Sequence, residues 1–213
     1  NATNNVGVGY KSLYSLTQSD YTTAVGYQSG YSETTGGTNT NIGGFAGRYN
    51  ETGSSNVAIG YESLQGVSGN SHDYNTSVGY KAMKHITTGG NNTAMGREAL
   101  YSETGGSSYV AIGRKAMYSQ NTNGTAYNTG IGLNAIYSNV TGQQNTAVGY
   151  TAMQGSSGDS NSYNTAVGYR SMFSVSTGGA NTAIGYRSLE LHTTGSNNTG
   201  LGGRALNSQT TAS

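Results

Sequence analysis

Residues 164–169 read Asn-Thr-Ala-Val-Gly-Tyr, and residues 181–186, seventeen positions on, read Asn-Thr-Ala-Ile-Gly-Tyr. The same element, an apolar residue followed by glycine, stands at Gly9, Gly26, Gly43, Gly60, Gly79, Gly96, Gly113, Gly132, Gly149, Gly168, Gly185 and Gly202. Successive spacings are 17, 17, 17, 19, 17, 17, 19, 17, 19, 17 and 17. Each lengthened copy restarts with Tyr-Asn-Thr, at Tyr74, Tyr127 and Tyr163, so the added residues fall in one recurring loop. A fixed period of this length marks a solenoid or an array.

The columns around the glycine (position 0) are regular. Position −1 holds Val8, Val25, Ile42, Ile59, Val78, Met95, Ile112, Ile131, Val148, Val167, Ile184 and Leu201. Position −2 is mostly Ala, position −3 Thr or Val, and position −4 usually Asn. Position +3 is Ala or Ser; position +4 is Leu, Met or Ile except at Gly30 and Gly47. Thr-Ala-Val-Gly alternates with the period of a strand, Thr and Val on one side and Ala and Gly on the other. A glycine in every copy would cost a helix about 1 kcal/mol each. The expected fold is therefore all-β, a parallel β-solenoid of about twelve coils, each with two short strands and two turns. At about 4.8 Å per coil the rod would be on the order of 55–60 Å long.

In this reading residues 1–213 form one repeat domain, a segment of a longer fibre. The aliphatic column at −1 is the expected core ladder, and the close-packing glycines with their neighbouring alanines form a small-residue face where another subunit approaches. The Asn column is expected to build amide ladders between coils.

Composition is not that of an ordinary globule. The chain has 35 glycines, no proline and no cysteine, with 9% charged residues and a net charge of +1, against the roughly one-quarter charged residues of ordinary domains. Near-neutrality speaks against nucleic acid as a partner, and no apolar run approaches the ~20 residues of a membrane helix.

The repeat resembles two related groups through Asn145–Tyr150 and Asn164–Tyr169, each followed by Ala or Ser and then Met or Leu. One is the head repeat of trimeric autotransporter adhesins, a trimeric left-handed parallel β-roll. The other, with a longer period, belongs to tail-fibre-like proteins of bacteriophages and environmental bacteria. The 17-residue period is closer to the second. The resemblance implies a left-handed homotrimeric shaft, extracellular, on a cell surface or a virion, with host-surface glycans or proteins as partners.

Catalysis needs unlike residues gathered at one place, whereas a repeat spreads like residues along a line. No enzymatic activity, metal or cofactor is expected. His72, His85 and His192 occupy different places in their repeats and are read as surface or loop residues. Position +2 carries the charges. Glu62, Lys81, Glu98 and Lys115 alternate in sign, so neighbouring coils can pair, whereas Arg170, Arg187 and Arg204 stack like charges. These three are expected to splay into solvent or meet carboxylates of another chain; the sharper alternative is a contact for an anionic ligand such as an acidic glycan. Tyr at +1 reads as a stacked ladder, with sugar stacking as the alternative. Asn-x-Ser/Thr triplets at Asn50, Asn75, Asn91, Asn123, Asn139 and Asn197 are formal glycosylation acceptors.

The expected function is a structural fibre segment with an adhesive or receptor-presenting role. A head-to-tail filament subunit is the first alternative. Ice binding by Thr129, Thr146, Thr165, Thr182 and Thr199 is a remote one, since the neighbouring Val column is expected to be buried.

Overall fold

The computed structural model describes residues 2–156 and 158–208. It is an all-β parallel solenoid. Twelve three-residue strands form one sheet in chain order: Val6–Val8, Thr23–Val25, Thr40–Ile42, Val57–Ile59, Thr76–Val78, Thr93–Met95, Val110–Ile112, Thr129–Ile131, Thr146–Val148, Thr165–Val167, Thr182–Ile184 and Thr199–Leu201. Every pairing is parallel and in register, so that Val148 faces Val167 and Val167 faces Ile184. The lengthened copies keep this register and place their extra residues elsewhere in the coil; one of these loops forms a small second pair, Gly106–Ser107 with Gly124–Thr125.

Apart from that pair, the expected second strand of the coil is replaced among the described residues by an arc. Positions +2 and +4 are both left-handed, as at Lys81 (φ 56°) and Met83 (φ 47°) or Lys115 (φ 56°) and Met117 (φ 52°). Such a conformation costs an ordinary residue about 1–2 kcal/mol. The arc offsets this by spending its polar groups between coils. The Lys81 N–H donates to the Tyr61 carbonyl of the preceding coil, and the Met83 N–H to the Ala99 carbonyl of the following one. A ladder of hydrogen bonds thus runs down the arc as it does down the sheet.

The core is not where the aliphatic column suggested. Within the chain, Val8, Val25, Ile42, Ile59, Met95, Ile184 and Leu201 are exposed, and Val78, Ile112, Ile131, Val148 and Val167 are half-buried. The alanines at −2 (Ala24, Ala58, Ala94, Ala111, Ala147, Ala166, Ala183) are fully buried, together with Leu64, Met83, Leu100, Met117, Ile136, Met153, Met172 and Leu189 at +4. The coil is one side chain wide inside: in most coils the long residue comes from the arc and the strand opposite contributes a small one, and at Asn41 the roles reverse, its buried side chain filling the space left by Gly30 and Gly47. Two bulky columns would overfill it. Serines at +3 point inward as well, and Ser29, Ser171 and Ser188 donate to strand carbonyls of the next coil.

It follows that the alanines of this face line the interior and are no meeting surface for subunits, while the position-0 glycines between the two ends are half-buried. The glycine at position 0 is required by its own chain. At Gly26 φ is +142°, and a Cβ there would lie 2.5 Å from the carbonyl oxygen of Gly43 in the next coil. The Asn column behaves as a ladder between side chain and backbone. Asn75 Oδ1 accepts from the Asn92 N–H at 3.0 Å, while its Nδ2 donates to the Gly89 carbonyl. The pattern repeats at Asn92, Asn128, Asn164 and Asn181.

Candidate functional site

Because positions +3 and +4 of the arc turn inward, positions +1, +2 and +5 form its outer surface. In the middle of the rod the +2 column is neutralised by its own alternation. Lys81 Nζ lies 3.7 Å from Glu62, which Lys84 also reaches at 2.7 Å, and Lys115 Nζ lies 3.6 Å from Glu98. Partly exposed pairs of this kind contribute under about 1 kcal/mol each.

Toward residue 208 the column changes character. Arg170, Arg187 and Arg204 stand in successive coils; the first two share a carboxylate of their own chain instead of splaying apart, whereas Arg204 faces solvent as expected. Glu190, at +5, lies between the first two. Its Oε1 accepts from Arg170 Nε and its Oε2 lies against Arg187 Nε, both at 2.6 Å. Glu190 is 3% exposed. Burial pushes its carboxyl up, but the Arg187 and Arg170 guanidiniums outweigh this and hold it below the usual carboxylate range. Arg170 also sits over the Phe173 ring, 3.9 Å from its centroid. Arg170 is hydrogen-bonded to Glu190 through Nε, and Arg187 meets the same carboxylate through Nε as an ion pair. Arg204 is exposed and has no carboxylate partner among the described residues. A groove of about 530 Å³ runs along these three arginines, floored by Glu190 and bordered by Leu191, Asn207 and Ser208.

The tyrosines form rails. Tyr150, Tyr169 and Tyr186 stack with centroids 5.2 and 5.4 Å apart and planes within 15° of parallel. A second rail at +5 joins Tyr101, Tyr118 and Tyr137. Parallel rings at coil spacing cover one another's faces and present edges and hydroxyls to solvent, so the rails brace the rod and offer a sugar no open ring within the stack.

Two of the histidines are interior. His72 is 1% exposed and neither ring nitrogen has a partner among the described residues; desolvation lowers its pKa to about 4. His192 is fully buried, its Nε2 2.8 Å from the Gly195 carbonyl oxygen. Only His85 keeps partial exposure, edge-on to Tyr101. Glu33 and Glu103 are also interior, and burial pushes both carboxyls up. Glu33 accepts from the Ser19 and Thr22 hydroxyls, and Glu103 from the Thr104, Gly106 and Thr122 N–H groups. Among the described residues no group of three or more His, Asp or Glu gathers at metal-binding range. Of the triplet asparagines, Asn50, Asn75 and Asn139 are buried, while Asn91, Asn123 and Asn197 are exposed.

Three columns were thus legible as columns, but Glu190 was missed. Its only signal was a carboxylate three places after Arg187, at a position filled elsewhere by Tyr, Gln, Lys, Arg, Phe or Asn. Comparison with protein families, with curated proteins and with solved structures finds no match.

Proposed function

We propose that this chain is a non-enzymatic fibre segment, a homotrimer joined through the aliphatic face of its sheet, with an adhesive or receptor-presenting role on a cell surface or virion. The observation that carries this reading is the exposed apolar stripe. Position −1 supplies an unbroken aliphatic column, from Val8 at 56% exposure through Ile59 at 36% and Ile184 at 39% to Leu201 at 74%. Position −3 beside it is Thr or Val throughout, with no charge in either column. A contiguous apolar strip rimmed by polar residues favours association. A flat strip repeated at one spacing suits a second copy of itself, and the resemblance to adhesin heads and tail fibres supports a copy number of three.

Sedimentation of the purified chain tests this. The wild type is expected to run as a trimer and Ile59→Asp/Ile112→Asp as a monomer with unchanged circular dichroism. A monomeric wild type at tens of micromolar would overturn the assembly. Electron microscopy separates short rods from the indefinite filaments of head-to-tail stacking. A second reading, ice binding, is favoured by one observation: the Thr ranks 129, 146, 165, 182 and 199 share the outward face with the aliphatic column instead of lying over a buried one. Thermal hysteresis in dilute solution that Thr146→Tyr/Thr165→Tyr abolishes would favour it over assembly.

A further inference from the structure

We infer that the groove along Arg170, Arg187 and Arg204 is a binding site for an acidic oligosaccharide, whose carboxylate or sulfate groups are received by the terminal guanidinium nitrogens. Three cations face one carboxylate here, leaving a local charge of +2 on a chain whose 10 basic and 9 acidic residues sum to only +1. Glu190 positions two of the arginines: it accepts a hydrogen bond from Arg170 Nε and pairs with Arg187 Nε, and Phe173 backs the first. The heads are therefore largely immobilised before any ligand arrives, which lowers the entropic cost of binding. Arg204, one coil beyond, adds a third head unshared with any carboxylate among the described residues.

The border of the groove points to a saccharide rather than to a bare ion or a nucleic acid. Ser208 and the amide oxygen of Asn207, whose Nδ2 donates to Glu190, offer polar groups suited to hydroxyls, and Leu191, 46% exposed, offers an apolar surface suited to ring CH groups. Three coils span about 10 Å at strand spacing, the scale of a few sugar units. A nucleic acid would need a basic track extending along the rod, whereas the middle of this column is paired off by Glu62 and Glu98. This inference supplies a ligand class for the adhesive reading, yet the site lies on the arc of a single chain and does not depend on assembly.

The test is calorimetric titration with three probes: a sulfated heparin hexasaccharide, trigalacturonate and neutral maltotriose. Binding of at least one acidic probe but not of maltotriose is expected, and the stronger of the two identifies the acid group. Arg187→Ala and Arg204→Ala should each weaken it about tenfold, as loss of one charge-assisted hydrogen bond implies. Arg97→Ala, which removes an exposed cation in the middle of the rod, should leave it unchanged. The Ile59→Asp/Ile112→Asp chain should bind with wild-type affinity per chain, so that failure of the site and failure of assembly are read separately. No binding of either acid, or equal weakening by Arg97→Ala and Arg187→Ala, would overturn the assignment.

Discussion

The two sides of one three-residue strand live under different rules. Ala147 looks inward and is fully buried; Thr146 and Val148, its neighbours on either side, look outward and are half-buried. Inside, every position is bounded by the coils above and below, and residue size is dictated to within a methyl group. Outside, the same spacing of coils merely lines side chains up. Stability therefore concentrates in the small inward residues, while the larger outward ones are available for contact with something else.

Substitutions that cross this boundary should show it, beginning with the largest effect. Gly96→Ala places a Cβ 2.6 Å from the Gly113 carbonyl oxygen at φ +133°. It is expected to cost about 3 kcal/mol or more, read as a fall in the urea midpoint. Next comes acid. His72 has a folded pKa of about 4 against an ordinary 6.5. The unfolded chain therefore binds the extra proton between those values, so this residue's contribution is complete above pH 6.5 and falls by about 3 kcal/mol as the pH drops toward 4. Glu33 and Glu103, raised by burial, act in the opposite sense, their contribution declining as pH rises through their folded values. Denaturant titrations across this range should therefore show a slope that His72→Ser alters; Ser19 occupies the equivalent place seven residues before its glycine. An unaltered slope would show that His72 is solvated in the folded chain.

The last test is a pair on one strand. Ala147→Leu overpacks the interior and should cost about 2 kcal/mol. Val148→Thr, one position along, should change the stability of the isolated chain by less than about 0.5 kcal/mol. Equal costs at the two positions would mean that the strand's faces are assigned the wrong way round.

That assignment is also where the sequence misleads. Period-two alternation shows that Thr146 and Val148 share a face, and the spacing of glycines sets the register that the strands adopt. Neither says which face is inside. Hydrophobicity favours the valines, but the interior is filled from the arc by Met153 and its equivalents and has room opposite for a small residue only, except at Asn41, which faces Gly30 and Gly47. The arc itself was marked faintly. Gly30 and Gly47 take the place of Leu or Met at +4, and φ there is +58° and +57°, so these two glycines were the visible sign that the whole column is left-handed. The arginine column could be seen in one dimension. Glu190 could not be placed beside it, because its distance from Arg170 depends on how the arc folds the +5 column against the +2 column. The buried His72 and His192 likewise replace residues of unlike type at their positions, so no column announced them.

Each coil hydrogen-bonds mainly to the coils on either side of it, and this arrangement has a mechanical meaning. Tension applied along the axis through the two chain ends loads the outermost ladder first, so coils should peel away one at a time rather than yield together. A coil that occupies about 4.8 Å of the intact rod releases seventeen residues, or roughly 55–60 Å of extended chain. Such a shaft would lengthen in steps of nearly constant size, slightly longer at the three 19-residue coils, and would dissipate a pull as a series of small ruptures while the remaining coils stay wound.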